Sequence, residues 1–229
     1  MTLENDIRME RLDRTKEVAS QVNGELDWAN LKRFQKDNEK IMASDSNDKI
    51  VFIGDSITEG WSISDPDFFR KNNCVNRGIG GQTTPQMLLR IKQDAIHLNP
   101  KLIVINGGTN DIAENTGPAR SEMIVDNITS MAEICMKNEI PVILSTILPV
   151  FKYAWNEKVK NVPEKISKVN SLLKKYSGKN NIPFIDYYSS MVDSQKGLAS
   201  AYGNDGVHPT KKGYEVMISV LKNTIPGIK

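Results

Sequence analysis

The sequence holds only two histidines, His97 and His208, so any proton transfer through an imidazole falls to one of them. His208 stands between Gly206 and Pro209 with Asp205 three residues ahead, a spacing that lets a carboxylate reach the ring from the same turn. His97 precedes Asn99-Pro100 with only Asp94 near it in sequence, and reads as a structural or solvent-edge histidine. Upstream, Gly54-Asp55-Ser56-Ile57-Thr58 carries a hydroxyl, Gly78-Ile79-Gly80-Gly81-Gln82-Thr83 a glycine corner, and Gly107-Gly108-Thr109-Asn110-Asp111 a side-chain amide. A hydroxyl nucleophile, a base, a carboxylate to orient the base and neutral donors for a developing oxyanion are what acyl transfer needs.

The elements that must bring these residues together follow from the hydrophobic period. Lys49 to Gly54, Cys74 to Asn76, Lys101 to Asn106, Pro141 to Thr146 and Ile182 to Asp186 are short, β-branched-rich runs that read as five strands. Between them, apolar residues recur on the helical period at Met87, Leu88 and Ile91, at Ile124, Ile128, Met131 and Cys135, and at Val162, Ile166, Val169, Leu173 and Tyr176. A last helix is expected around Tyr214, Met217, Ile218 and Leu221. Thr84 before Pro85 reads as an N-cap, and Pro163 sits early in its helix.

This alternation, with nearly continuous apolar strands, predicts a three-layer α/β/α sandwich around a five-stranded parallel sheet. Ligands of such sheets sit beyond the carboxyl ends of the strands. The serine, glycine and asparagine blocks follow the first three strands, and the Asp205–His208 block is placed after the fifth. The division expected is a helical extension over residues 1–47, packed on a domain over 48–229. Within the extension, Leu31, Phe34 and Ile41 predict a helix starting after Asp27, and residues 1–24 read as weakly helical.

Composition narrows the classes. A chain of 229 residues with 39% hydrophobic and 25% charged residues can form a large core without disulfides or a structural metal. Thirty basic and twenty-eight acidic side chains leave +2, which argues against a nucleic-acid partner. Cys74 and Cys135 show no metal-ligand spacing and read as buried thiols. No run approaches the ~20 apolar residues of a membrane span. Residues 1–24 contain four basic and five acidic residues and no apolar h-region, so no secretory signal is read and the expected location is the cytoplasm if this start is the native one. The dinucleotide fingerprint, the phosphate loop and the Gly-x-Ser-x-Gly elbow are all missing. Lys165, Lys168, Lys174, Lys175 and Lys179 read as a solvated helix face.

The four blocks, in this order and each after an expected strand, resemble those of the SGNH, or GDSL, hydrolase family over residues 49–221. The resemblance implies a flavodoxin-like fold and a cofactor-free carboxylic ester hydrolase. It implies Ser56 as nucleophile, His208 as base and then acid, Asp205 as the group holding the imidazole, and an oxyanion hole from the backbone N–H of Ser56, the backbone N–H of Gly81 and the Asn110 amide. Isoleucine follows the serine where leucine is commoner. This leans toward the branch that resembles platelet-activating-factor acetylhydrolase and bacterial carbohydrate acetylesterases.

A short acyl group, acetyl foremost, on a carbohydrate or other small molecule is therefore the expected substrate. A lysophospholipase or acyl-thioesterase would use the same residues on longer chains, and a relict-fold binding protein would predict damage to the four blocks, which are intact. Trp155, in a loop that also carries Phe151 and Tyr153, and Trp61, five residues after the serine, are candidates for substrate contact. Asp55 is a further candidate beside the substrate, although it and Asp111 are better placed to cap helices or brace loops. Activity is expected to fall on the acid side as His208 takes a proton, because a cationic imidazole cannot accept another. Neither a metal nor a membrane span is called for, and no oligomeric state is indicated.

Overall fold

The computed structural model describes residues 27–44 and 48–229. Five strands, β1 (Ile50–Gly54), β2 (Cys74–Gly78), β3 (Leu102–Asn106), β4 (Val142–Ser145) and β5 (Phe184–Ile185), form one sheet in the order β2-β1-β3-β4-β5. Every pairing is parallel. The order reverses direction at β1 and β3, so a crevice opens beyond their carboxyl ends.

Side chains alternate between the two faces of a strand, and here both faces are apolar. Val51, Ile53, Ile103, Ile105 and Leu144 face one core with Met87 and Ile91 of α4 (Thr84–Asp94), Ile124 and Met131 of α6 (Ser121–Lys137), and Ile166 and Leu173 of α7 (Val162–Lys179). Ile50, Phe52, Val104, Ile143 and Ile185 face the other. That second core is closed by α2 (Ser56–Ser64), α3 (Pro66–Lys71), α8 (Tyr187–Met191) and α9 (Lys211–Lys222). The expected three layers are present. None of the described helices is long and apolar enough to cross a membrane.

Several boundaries differ from the sequence reading for identifiable reasons. The stretch after β1 is two short helices, whose starts are fixed by side-chain caps: Asp55 accepts from the Ile57 N–H at 3.0 Å and Asp65 from the Phe68 N–H at 3.0 Å. Helix α4 is capped by Thr83, not Thr84, in a capping box with Gln86. The Asp205–His208 loop does not directly follow β5, because α8 and a bridged loop, Val192 against Leu198, come between. Cys135 is buried as expected, whereas Cys74 is only partly so.

The helix expected after Asp27 begins later, as α1 (Gln35–Met42). The Asp27 carboxylate takes the N–H groups of Leu31 and Lys32 at 2.7 and 2.9 Å, and Asn30 turns through φ 54°, so residues 27–34 form a strap of turns. Three glutamines hold that strap: Gln82, Gln86 and Gln93 donate to the carbonyls of Ala29, Trp28 and Leu31, each at 2.7 Å. The weakly helical stretch expected over residues 1–24 lies outside the described residues.

Beneath the strap, a buried guanidinium ties the carboxyl ends of β1 and β2 to the loop that follows them. Arg90 has no exposed surface. It donates to the carbonyls of Gly54 at 2.8 Å and Arg77 at 2.7 Å, and to the Gln82 side chain at 2.6 Å. Asp94, equally buried, lies 3.4 Å from it and accepts from Asn38 of α1 at 2.7 Å. Breaking a buried pair strands the remaining charge and typically costs ~3–5 kcal/mol. Arg90→Ala is therefore expected to lower stability by about that much, read as a shift of the urea midpoint at unchanged slope; an unmoved midpoint would show that the tie contributes nothing.

Candidate active site

Ser56 is the first residue of α2, immediately past the end of β1. First-turn amides have no intrahelical acceptor, so its N–H is available to a ligand. Its Oγ lies 2.9 Å from His208 Nε2, and His208 Nδ1 lies 2.6 Å from Asp205 Oδ2. Asp205 Oδ1 accepts the backbone N–H groups of Val207 and His208 at 2.9 and 2.7 Å. Burial alone would raise the Asp205 carboxyl, but the bonds from the His208 side chain and from these two amides outweigh it and hold it below its usual range. An ionised carboxylate only accepts, which puts the ring proton on Nδ1 and leaves Nε2 to accept from the serine hydroxyl.

Both sides of this contact are anchored. The loop carrying Asp205 and His208 is pinched at its base, where the Thr210 N–H donates to the Tyr202 carbonyl at 2.7 Å and Gly203 bridges Pro209. Thr210 then caps α9. From α9, the Tyr214 hydroxyl donates to the Ile57 carbonyl of α2 at 2.9 Å. The helix after the imidazole thus grips the helix that begins with the serine.

The glycine block turns over the end of β2. A Cβ on Gly78 would stand 2.1 Å from the Glu59 backbone nitrogen, so close packing of β2 on α2 selects glycine there. Gly81 differs: its φ is +75° and a Cβ would meet nothing within 4 Å, leaving its backbone open to the crevice. Glu59 Oε2 accepts the Gly80 N–H at 2.9 Å and holds the turn. Asn110, buried in the four-residue α5 (Thr109–Ile112), donates from Nδ2 to the Gln82 carbonyl at 3.0 Å. Among the described residues its second amide hydrogen has no partner. Together these residues can take a proton from a hydroxyl and present neutral donors nearby, the equipment for attack on a carbonyl carbon.

The aromatic candidates separate. Trp155 is 49% exposed, with its ring centroid 6.5 Å from that of His208 and 30° between the planes. Its indole N–H donates to Asn115 Oδ1 at 2.9 Å. Trp61, by contrast, is 2% exposed and packed among Phe52, Phe68, Phe69, Tyr187 and Tyr214. It is core and does not reach the crevice, because the inward face of α2 carries it away from the rim. Tyr153 is likewise buried, its hydroxyl 2.9 Å from that of Thr109.

Asp55 does not meet substrate either: it is fully buried, capping α2 through Oδ1, while its Oδ2 has no hydrogen-bond partner. Burial foremost, with the Asp111 charge adding and the Ile57 N–H and His208 opposing, raises its pKa to about 7. Asp111 is raised to about 6, again by burial against the Thr84 N–H and hydroxyl that it accepts at 2.9 and 2.6 Å. The residues that sequence reasoning missed are Arg90, Gln82, Glu59 and Asn115. Only Asn115 had a local signal, the turn-forming run Asn115-Thr116-Gly117.

Residues 52–216 match the GDSL-like lipase/acylhydrolase family. The human isoamyl acetate-hydrolyzing esterase 1 homolog is 30% identical over 198 residues, 76% of this chain and 79% of that protein. The rat platelet-activating factor acetylhydrolase IB subunit alpha2 is 27% identical over 91% of this chain and 87% of its own. A crystal structure from Bacteroides fragilis NCTC 9343 superposes with a TM-score of 0.85 at 50% identity, covering 87% of this chain and 97% of that one.

The two raised carboxyls have a signed consequence. A buried acid with a raised pKa binds its proton more tightly when folded, so stability is lost as pH climbs from the unfolded value of 3.8 through about 7. Asn caps helices as well as Asp. The melting temperature of Asp55→Asn relative to wild type is therefore expected to rise between pH 4 and pH 7 and to level off above; a difference independent of pH would refute the raised pKa.

Proposed function

We propose, from the premise that the chain belongs to the GDSL-like lipase/acylhydrolase family, that it is a serine esterase removing short acyl groups, acetyl foremost, from a carbohydrate or other small alcohol. The observation that carries this reading is the unbroken line from Ser56 Oγ to His208 Nε2 at 2.9 Å and from His208 Nδ1 to Asp205 Oδ2 at 2.6 Å.

In this reading Ser56 Oγ attacks the ester carbonyl carbon while His208 Nε2 takes the hydroxyl proton. The carbonyl oxygen becomes an oxyanion, held by the N–H of Ser56, the N–H of Gly81 and the free hydrogen of Asn110 Nδ2. As the tetrahedral species collapses, the imidazolium gives that proton to the departing alcohol and an acyl-serine remains. Water then attacks the acyl carbon, again losing a proton to His208, and Ser56 Oγ leaves with it. Asp205 accepts from Nδ1 throughout and stabilises the imidazolium without becoming protonated.

The leaving alcohol must lie beside the imidazole that protonates it, and so beside the exposed ring of Trp155. A flat aromatic face there suits a sugar ring. The acetyl preference draws on the relatives whose names specify an acetate ester and an acetylhydrolase.

Hydrolysis of p-nitrophenyl esters with two to twelve acyl carbons tests both levels. Activity is expected to peak at acetate and to fall by at least ~10⁴-fold in kcat for Ser56→Ala, since losing the nucleophile leaves only the oxyanion hole and binding. A peak at long chains would replace the acyl group and keep the mechanism, while full activity without the serine would remove the mechanism itself.

A further inference from the structure

We infer that Asn115 is a positioning residue that fixes which way the Asn110 amide faces, linking the oxyanion donors to the aromatic ring beside the imidazole. The inference rests on the reading above, in which the Asn110 amide is one of those donors.

Asn115 clasps Asn110 twice. Its backbone N–H donates to the Asn110 carbonyl at 3.0 Å, and its Nδ2 donates to Asn110 Oδ1 at 2.9 Å. The same Nδ2 lies 3.3 Å from the Gly81 carbonyl, and the Asn115 Oδ1 accepts from the Trp155 indole at 2.9 Å. One side chain therefore touches both residues flanking the proposed oxyanion position and the ring on the leaving-group side.

The chemistry of the two ends dictates the orientation of everything between. An indole N–H can only donate, so Asn115 must turn its oxygen to Trp155 and its nitrogen to Asn110. Asn110 must then offer its oxygen to Asn115 and carry its nitrogen away, where the Gln82 carbonyl, which can only accept, receives one hydrogen at 3.0 Å. The other hydrogen of that nitrogen is left for the oxyanion. A flipped Asn110 would set its oxygen against the Gln82 carbonyl and against the developing negative charge. Nothing in Asn110 itself excludes that flip, since the two faces of an amide are nearly the same shape; the Gln82 carbonyl on one side and Asn115 on the other exclude it by hydrogen bonding, and Asn115 is the one of the two that a side-chain substitution can remove.

The backbone bends unusually to place Asn115. Glu114, just before it, adopts φ 61°, a left-handed conformation disfavoured for a side chain of this kind, and Gly117 adopts φ 102°. The turn is fastened by Glu114 N–H to the Asp111 carbonyl and Gly117 N–H to the Glu114 carbonyl, both at 3.0 Å, and by the 3.6 Å ion pair of Glu114 with Lys165. Asn115 itself is exposed, so removing its side chain opens no core cavity and is expected to leave stability nearly unchanged.

The test is a double-mutant cycle on p-nitrophenyl acetate with wild type, Asn110→Ala, Asn115→Ala and the double variant, each with a thermal melt. Asn110→Ala is expected to lower kcat by ~10²–10³-fold. Asn115→Ala is expected to lower kcat roughly tenfold with KM within about twofold and an unmoved melt, and to cause no further loss once Asn110 is alanine. Trp155→Phe, which keeps the ring and removes the indole donor, is expected to lower kcat in the same direction by less. A wild-type kcat in Asn115→Ala, or a loss that adds in full to that of Asn110→Ala, would overturn the inference while the loss in Asn110→Ala left the esterase reading in place. A wild-type kcat in Asn110→Ala would overturn both the inference and the place of Asn110 among the oxyanion donors, and would leave the serine mechanism to be judged by Ser56→Ala.

Discussion

A charged group with no access to water must be answered on every side, and Arg90 imposes that demand at the centre of this structure. Its guanidinium collects a carbonyl from the carboxyl end of each of two adjacent strands, a glutamine side chain and a buried carboxylate. Burial lowers its pKa to about 10, Asp94 opposing, so it stays cationic at neutral pH and its acceptors have to be where they are. Moving the glycine turn would take Gln82 from Arg90, and with Gln82 would go the carbonyl that receives the Asn110 amide. The geometry of the proposed oxyanion position is thus inherited from a charge on the far side of the loop.

The rest of the site is assembled from pieces that are each locally determined and then tied in pairs. Ser56 is placed by the helix start that Asp55 caps, and His208 by a short loop whose own carboxylate gathers two of its amides. Tyr214 and Ile57 join these pieces through one hydrogen bond over a dense aromatic cluster. Because the ties run between backbone atoms and buried side chains, the rim can remain open to solvent without losing alignment. The Asp205 side chain, 52% exposed, is held by geometry where many such carboxylates are held by burial.

What the sequence disclosed follows the range of each interaction. Strands β1, β3 and β4 were legible because two-sided burial makes them nearly continuous apolar runs. The edge strand β2, with Asn76 and Arg77, was legible only over its first residues. Asp205 with His208 were legible because three residues of separation confine them to one turn. The serine, glycine and asparagine blocks were legible because parallel strands deliver their following residues to one rim. Arg90 was not, since an arginine on an amphipathic helix has the pattern of a solvated face until a strand end is placed against it. Trp61 and Trp155 were equivalent as letters; only the packing of α2 sends one into the core and leaves the other at the rim. The helices at 56–71 escaped because their starts are set by single caps and their apolar period is too short to register.

The strap over residues 27–34 is held by three glutamines that reach its main-chain carbonyls, an atom every amino acid supplies in the same form. The glutamines belong to the fold; what they grip has no required spelling beyond the Asp27 and Asn30 turns and the buried Ala29. Selection acting on this contact can therefore see the writing on only one of its two sides. Residues 28 and 31, both exposed, are free to drift in identity while the contact persists, whereas the buried Ala29 must stay small, so that similarity across distant members of the family would fade along most of the strap well before the attachment itself is lost.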